Sequence, residues 1–293
     1  MPCNLHHVET KTLLLVMKQF AVLFLLTLAF KATGQTTPAA IVAEGKKLYR
    51  SEAASWFGTD IFVEKFKNKR ELSGGYLSYS DASGAKCIFF SKEPTHQTVA
   101  VITFDSTYNV QRAKIDSLPR ALTKYEADLL EIRTKALARI EADTLFKEYK
   151  NTNLNVVPMI DKSERRVYVL SGPEIPNVIV FGNDYQIDFN TQNEIISTRS
   201  LHKNIMPVDY KANNSVAGFH SHLPSTGDYI TPTDICTLML YENFPGWGQY
   251  YVMSKNYVSI WNCKKNELFI MTRKAWERMS KELKKRSPES PKE

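Results

Sequence analysis

Stretches in which apolar and polar residues alternate, separated by turn residues, recur in both halves of this 293-residue chain. Alternation with a period of two is typical of β-strands that bury one face. The segment GYLSYSDASGAKCIFFS (75–91) places such stretches on both sides of DASG, a sequence that favours a tight turn. TVAVITFD (98–105) adds a further strand. The amino-terminal part is therefore predicted to contain an antiparallel meander.

Two other stretches have helical character. Residues 38–66 begin with a helix-compatible run, and residues 109–150 repeat apolar residues at helical spacing among many charges, which predicts one long or two short amphipathic helices. Strands return from residue 165 onward, interrupted by a helix near 232–243 and followed by one near 273–286. We expect an α+β fold: a mixed, mainly antiparallel sheet flanked by helices, preceded by a smaller unit of meander and helix.

The apolar content, 43%, is sufficient for a sizeable core. We expect a boundary in the NTNLNVVP stretch, with an amino-terminal region over 35–155, a second domain over 156–286 and a disordered tail over 287–293. The net charge of +7 falls to +5 without residues 1–34, which hold three Lys and one Glu. An excess this small does not indicate a nucleic-acid partner.

The first 34 residues resemble a secretory signal peptide. The run from Phe20 to Phe30, apolar except for Thr27, follows Lys18 and precedes KATGQ, where Ala32 and Gly34 suit a cleavage site. A membrane anchor needs about 20 apolar residues, more than this run supplies. Met17 is a candidate for the true start. The protein is therefore expected to be exported, periplasmic or secreted, and to meet the membrane only through this cleaved segment.

Export permits disulfides, but removal of the leader leaves an odd number of cysteines, Cys87, Cys236 and Cys263. Their spacing matches no cysteine zinc motif. Cys236 and Cys263 lie in apolar runs typical of small buried side chains. A single bridge among the three stays open at this point.

One stretch carries a chemical pattern: FHSHLPSTGDYITPTDI, residues 219–235. On a strand, His220 and His222 point to the same face. A polar loop then leads to a helix start at which Thr231 is the cap and Asp234 the third residue. Two imidazoles and a carboxylate form a standard catalytic zinc set, with water as the fourth ligand.

Each part of this pattern also has an ordinary explanation. A lone His-x-His pair is a weak signal, and Thr231 with Asp234 is a capping arrangement that a helix can use without a metal. What favours a zinc site is the conjunction of all three candidate ligands at one strand-to-helix junction. His96 and His202 lie at turn-like places and are expected to face solvent.

The HSH pair followed by TPTD resembles the signature of the JAMM (MPN-type) zinc metallopeptidases, with a loop one residue longer and Thr in place of Ser. The resemblance implies that His220, His222 and Asp234 bind Zn²⁺ and that Thr231 assists the transition state, with Ser221 as another candidate donor. It also implies an upstream Glu as general base. Glu164, 56 residues before His220, is the first candidate, and Glu174 is the second. The third possibility is that neither residue serves as the base.

The resemblance implies a zinc-dependent hydrolase that cleaves a peptide or isopeptide bond with a metal-activated water. Its substrate would be a peptide or protein, with a cell-envelope peptide suited to an exported chain. The alternative is a non-catalytic secreted or envelope binding protein that keeps the fold, with or without zinc. The sequence does not define an oligomeric state.

Overall fold

The structure is a computed structural model that describes residues 37–211 and 215–286. The predicted signal segment and the predicted tail lie outside the described residues. Among the described residues, no helix is both long enough and apolar enough to cross a membrane. The described residues from Pro38 onward form one compact unit.

Helices and short strands alternate along this unit. The helices are α1 (Pro38–Lys65), α2 (Lys124–Ala142), α3 (Pro232–Tyr241) and α4 (Arg273–Arg286). The strands are β1 (Ser73–Asp81), β2 (Gly84–Ser91), β3 (Thr98–Phe104), β4 (Lys114–Asp116), β5 (Thr152–Asp161), β6 (Glu164–Pro173), β7 (Val178–Gly182), β8 (Tyr185–Phe189), β9 (Ile195–Ser200), β10 (Ile205–Asp209), β11 (Ala217–Ser221), β12 (Gln249–Met253), β13 (Tyr257–Asn262) and β14 (Glu267–Thr272). The predicted α+β class is confirmed.

The strands form several small sheets. Two are four-stranded meanders or near-meanders, in the orders β1-β2-β3-β4 and β5-β6-β8-β9, and β7 pairs with β10. The last sheet has the order β11-β12-β13-β14. Neighbouring strands are antiparallel throughout these sheets except for β11 and β12, which are parallel. The strand that carries His220 is therefore the edge strand of its sheet, and it runs parallel to its one neighbour in that sheet.

The amphipathic stretch 109–150 contains one α-helix, α2, which occupies only its middle part, Lys124–Ala142. Thr123 and Glu126 form a capping box, in which the Thr123 side chain accepts from the Glu126 amide and the Glu126 carboxylate accepts from the Thr123 amide. This cap starts the helix at Lys124 because it satisfies amide groups that the first turn leaves unpaired. Residues 114–116 pair with β3 instead.

The stretch NTNLNVVP, where we expected a domain boundary, forms the start of β5. Hydrophobic side chains from both sides of it share one core, in which Leu77 and Phe90 pack with Leu129, Val156 and Val167. The segment is therefore a paired, partly buried strand.

The short helix α3 is held between α1 and the last sheet. Its Ile235 approaches α1 at Gly45, where a Cβ atom would lie 2.7 Å from the Cβ of Ile235, so the contact requires glycine. On its other side, α3 joins a core that includes Tyr250 and Trp261 of the sheet. This packing fixes the start of α3 beside the end of β11.

The described cysteines, Cys87, Cys236 and Cys263, are buried and unpaired. The bridge that the sequence left open does not form among them. Burial matches the expectation for Cys236 and Cys263.

Candidate metal centre

The predicted strand-to-helix junction forms. His220 lies in β11, and the His222 amide continues the pairing with β12 by donating to the Met253 carbonyl at 2.8 Å. Thr231 is the N-cap of α3, and Asp234 is its third residue in a complete capping box. His220, His222 and Asp234 are all buried. The local sequence therefore brings three candidate ligands together, as predicted.

A fourth residue joins them. His202, in the connection between β9 and β10, places its Nε2 atom 3.1 Å from Nε2 of His222 and 3.6 Å from Oδ1 of Asp234. Only 9% of His202 is exposed. The expectation that His202 faces solvent is wrong, because the β7–β10 pair directs this connection back toward β11. His202, His220, His222 and Asp234 form a group that can hold a metal ion.

The spacing of the donor atoms fits a tetrahedral ion. The His220 and His222 Nε2 atoms are 2.9 Å apart. Oδ1 of Asp234 lies 3.5 Å from Nε2 of His220, and Oδ2 of Asp234 lies 3.1 Å from Nε2 of His222. Around zinc, with ligands at about 2.0–2.1 Å, neighbouring donors of a regular tetrahedron are separated by roughly 3.3–3.4 Å. The distances in the cluster bracket this value.

Each imidazole is oriented by a bond from its other nitrogen. Nδ1 of His202 donates to Oδ2 of Asp184 at 3.2 Å, and Nδ1 of His222 donates to the Tyr229 carbonyl at 3.0 Å. Nδ1 of His220 lies 3.2 Å from the hydroxyl of Tyr250. A carboxylate and a carbonyl only accept, so the neutral forms of His202 and His222 carry lone pairs on Nε2. Metal-binding histidines are typically supported in this way.

The carboxylate of Asp234 is charged, and one of its two oxygens accepts no hydrogen bond. Burial alone raises the pKa of Asp234, but His202, His220 and His222 outweigh it and hold that pKa well below its usual value. Oδ2 accepts from the amide and hydroxyl of Thr231 at 2.9 and 2.8 Å. Oδ1 is buried without a hydrogen-bond donor. A buried carboxylate oxygen without a donor, facing imidazole lone pairs, matches a cation-binding position.

Two of the histidines respond in opposite directions to this environment. Burial lowers the pKa of His220 to about 4, so this ring is neutral. Burial also acts to lower the pKa of His202, but the carboxylates of Asp234 and Asp184 outweigh it and raise the pKa to about 9. The negative charge around His202 thus favours a positive charge at this position, either a proton or a metal ion.

A solvent-open cavity of about 230 Å³ reaches the cluster. His202 and His220 line it, together with Lys203, Asn204 and Ser221. Ser221 is thus placed where a bound molecule would lie. The Thr231 hydroxyl instead bonds Asp234 and Thr233. Thr231 therefore positions Asp234, which differs from the donor role that the resemblance implies.

The two candidate bases do not join the cluster. Glu164 begins β6, is exposed and pairs with Arg166. Toward the other end of β6, the Ser171 amide donates to Oδ1 of Asp184, the carboxylate that holds the His202 ring. Seven residues of strand separate Glu164 from Ser171 by about 23 Å. Glu174 is exposed in the loop after β6. The chain spacing suggested Glu164, but β6 runs with that end away from the histidines.

Sequence reasoning missed His202 and Asp184. Neither lies at a fixed short spacing from His220, so no local signal in the sequence points to them. No family model, curated protein or solved structure matches this chain. The resemblance to the JAMM family therefore rests on the residues of the junction themselves.

Proposed function

We propose that this protein is a zinc-dependent hydrolase that cleaves a peptide or isopeptide bond. The observation that carries the proposal is the convergence of one donor atom from each of His202, His220, His222 and Asp234, with Oδ1 of Asp234 buried and without a hydrogen-bond donor. The donor set, three imidazoles and one carboxylate, suits zinc, although it also accepts other first-row divalent ions.

The cavity supports a catalytic use of the metal over a purely structural one. It opens His202 and His220 to solvent on the side where Ser221 and Asn204 offer hydrogen-bond donors. A zinc ion held by these four donors could take a water from the cavity as a fifth ligand; it would lower the pKa of that water to about 7 and would polarise a carbonyl oxygen. Because that pKa is close to neutral, the bound water could lose its first proton to solvent without the missing Glu base.

Residues around the cluster would then have two roles: some would hold the metal ligands in place and others would orient the substrate. Asp184 holds the His202 ring, Thr231 holds Asp234, and Tyr250 supports His220. Ser221 and Asn204 would orient the substrate carbonyl in the cavity. The leader predicts export, so we propose peptides of the cell envelope as the substrate class and a periplasmic or secreted location.

The second candidate is a binding protein in which the metal only stabilises the fold. It is favoured by the four protein donors, which fill a tetrahedron as structural zinc sites do, and by the distance of Glu164 from the cluster. In that case the metal would raise stability without supporting hydrolysis.

The test uses the mature protein, His222→Ala and the control His96→Ala, which alters a histidine outside the cluster. Metal content is measured by elemental mass spectrometry. Cleavage of a mixed peptide library is measured by mass spectrometry of the peptide fragments. The hydrolase proposal predicts about one zinc per chain and chelator-sensitive cleavage in the mature protein and in His96→Ala, and neither in His222→Ala. Zinc without cleavage of any peptide would leave the binding protein, and equal zinc in all three proteins would remove both candidates.

A further inference from the structure

The outer edge of β11 has no strand partner among the described residues. In the order β11-β12-β13-β14, β11 pairs with β12 alone. A strand edge without a partner presents N–H and C=O groups that can bind another chain. This edge is notable because the next residues along it, His220 and His222, are metal-binding candidates.

The register identifies which groups face outward. β11 and β12 are parallel, with His220 opposite Val252, and the His222 amide donates to the Met253 carbonyl. In a parallel ladder, alternate residues direct both main-chain groups to the same neighbour. His220 and Gly218 therefore pair with β12, whereas Phe219 and Ser221 direct their amides and carbonyls to the free edge.

The surroundings of this edge leave room for a chain. Phe219 is 68% exposed and Val216, just before the strand, is 82% exposed. Ser221 and His220 also line the 230 Å³ cavity that reaches His202. An additional strand would lie about 4.8 Å from β11 and would run past this cavity. Lys203 on the cavity wall adds a positive charge with no ion-pair partner among the described residues.

We infer that the outer edge of β11 binds the substrate as an extended peptide that adds a strand to the sheet, with a preference for acidic residues near Lys203. This inference rests on the proposed function and specifies its substrate: an unfolded segment of polypeptide. Main-chain bonds to Phe219 and Ser221 supply affinity, as in other cases of strand addition. They also place one peptide carbonyl beside His220 and His202.

The first experiment measures amide hydrogen exchange of the zinc-loaded protein by NMR, with and without an octapeptide of alternating Val and Glu residues. We expect exchange at Phe219 and Ser221 to slow when the peptide is added, because their outward amides gain acceptors. The His220 amide, already paired with β12, is the internal control and should not change. Absence of peptide binding, or binding without protection at Phe219 and Ser221, overturns the inference.

The second experiment compares Phe219→Pro with Phe219→Ala in a fluorescence assay of the same peptide. Both variants lose the ring, but only proline also removes the outward amide, and it spares the pairing with β12. We expect Phe219→Pro to bind about tenfold more weakly than Phe219→Ala, which corresponds to one main-chain hydrogen bond. Equal affinities in two variants with the same zinc content contradict strand addition.

Peptide cleavage is measured in a separate assay, so that failure of the hydrolase proposal can be distinguished from failure of the peptide-binding proposal. Protection of Phe219 and Ser221 without cleavage of this peptide or of any peptide in the library would refute the hydrolase and leave the peptide-binding edge. Cleavage without protection would refute the edge and leave the hydrolase.

Discussion

His202 donates from Nδ1 to Oδ2 of Asp184 at 3.2 Å, and both side chains are almost fully buried. This pair joins two parts of the fold, since Asp184 immediately precedes β8 and His202 follows β9. The carboxylate fixes the ring so that Nε2 points at His222 and Asp234. It also makes His202 a stronger ligand, because a carboxylate behind an imidazole raises its basicity.

Replacing Asp184 with Asn should weaken zinc binding by about 10- to 100-fold, the usual effect of losing such a supporting group. The amide keeps the size of the side chain but removes its charge. Affinity is measured by competition with a coloured chelator. The matched control is Asp188→Asn, which makes the same change on β8 at a carboxylate that bonds Ser197 instead of a ligand. Equal losses in the two variants would show that Asp184 has no special role.

Replacing His202 with Ala should change the coordination of the metal without abolishing binding. Cobalt(II) can substitute for zinc and reports its geometry through visible absorption, which is strong for tetrahedral sites and weak for higher coordination. We expect a tetrahedral spectrum from the mature protein, because four protein donors lie within 4.8 Å of one another. In His202→Ala, water fills the vacated position and the spectrum should change. A spectrum identical to that of His96→Ala would mean that His202 is not a ligand.

Removing the metal should lower the thermal stability of the protein. A ligand present at 1,000 times its dissociation constant stabilises the native state by about 4 kcal/mol. For a domain of this size that corresponds to a fall in Tm of roughly 10 °C when a chelator is added. The measurement is a thermal scan with and without chelator, and His222→Ala serves as the reference that should hardly respond. A mature protein that is indifferent to chelator would contradict occupancy of the cluster.

The junction could be predicted because its geometry is local. Two residues apart on a strand, His220 and His222 share a face whatever the rest of the fold does. Thr231 and Asp234 are likewise set by the capping rules of one helix. A short segment therefore determined three of the four candidate ligands.

The position of the fourth candidate ligand depends on long-range packing, which the sequence pattern does not encode. His202 reaches the site because β10 pairs with β7, a strand more than 20 residues earlier. Glu164 shows the converse error: its distance along the chain suited a base, but the direction of β6 carries it to the far end of the sheet. Sequence separation does not specify strand direction, so neither result could be read from spacing.

The buried carboxyl of Glu52 on α1 should make stability depend on pH. Burial raises the pKa of Glu52 from 4.5 to about 7, against the opposing effects of Asn155, Ser55 and Arg133. A carboxyl whose pKa is higher in the folded state binds more protons when folded, so its stabilising contribution is complete below about pH 4.5 and is lost as the pH rises toward 7. The shift corresponds to roughly 3 kcal/mol between pH 4 and pH 8.

Glu52→Gln should remove this dependence, because glutamine keeps the shape of the neutral acid and can still accept the bond from Asn155. The free energy of unfolding is measured in urea at both pH values, with chelator present so that metal binding does not contribute. The stability of Glu52→Gln relative to the unmodified chain should rise by roughly 3 kcal/mol from pH 4 to pH 8. A difference that is the same at both pH values would mean that Glu52 is ionised in the folded protein, with Arg133 and Asn155 outweighing its burial.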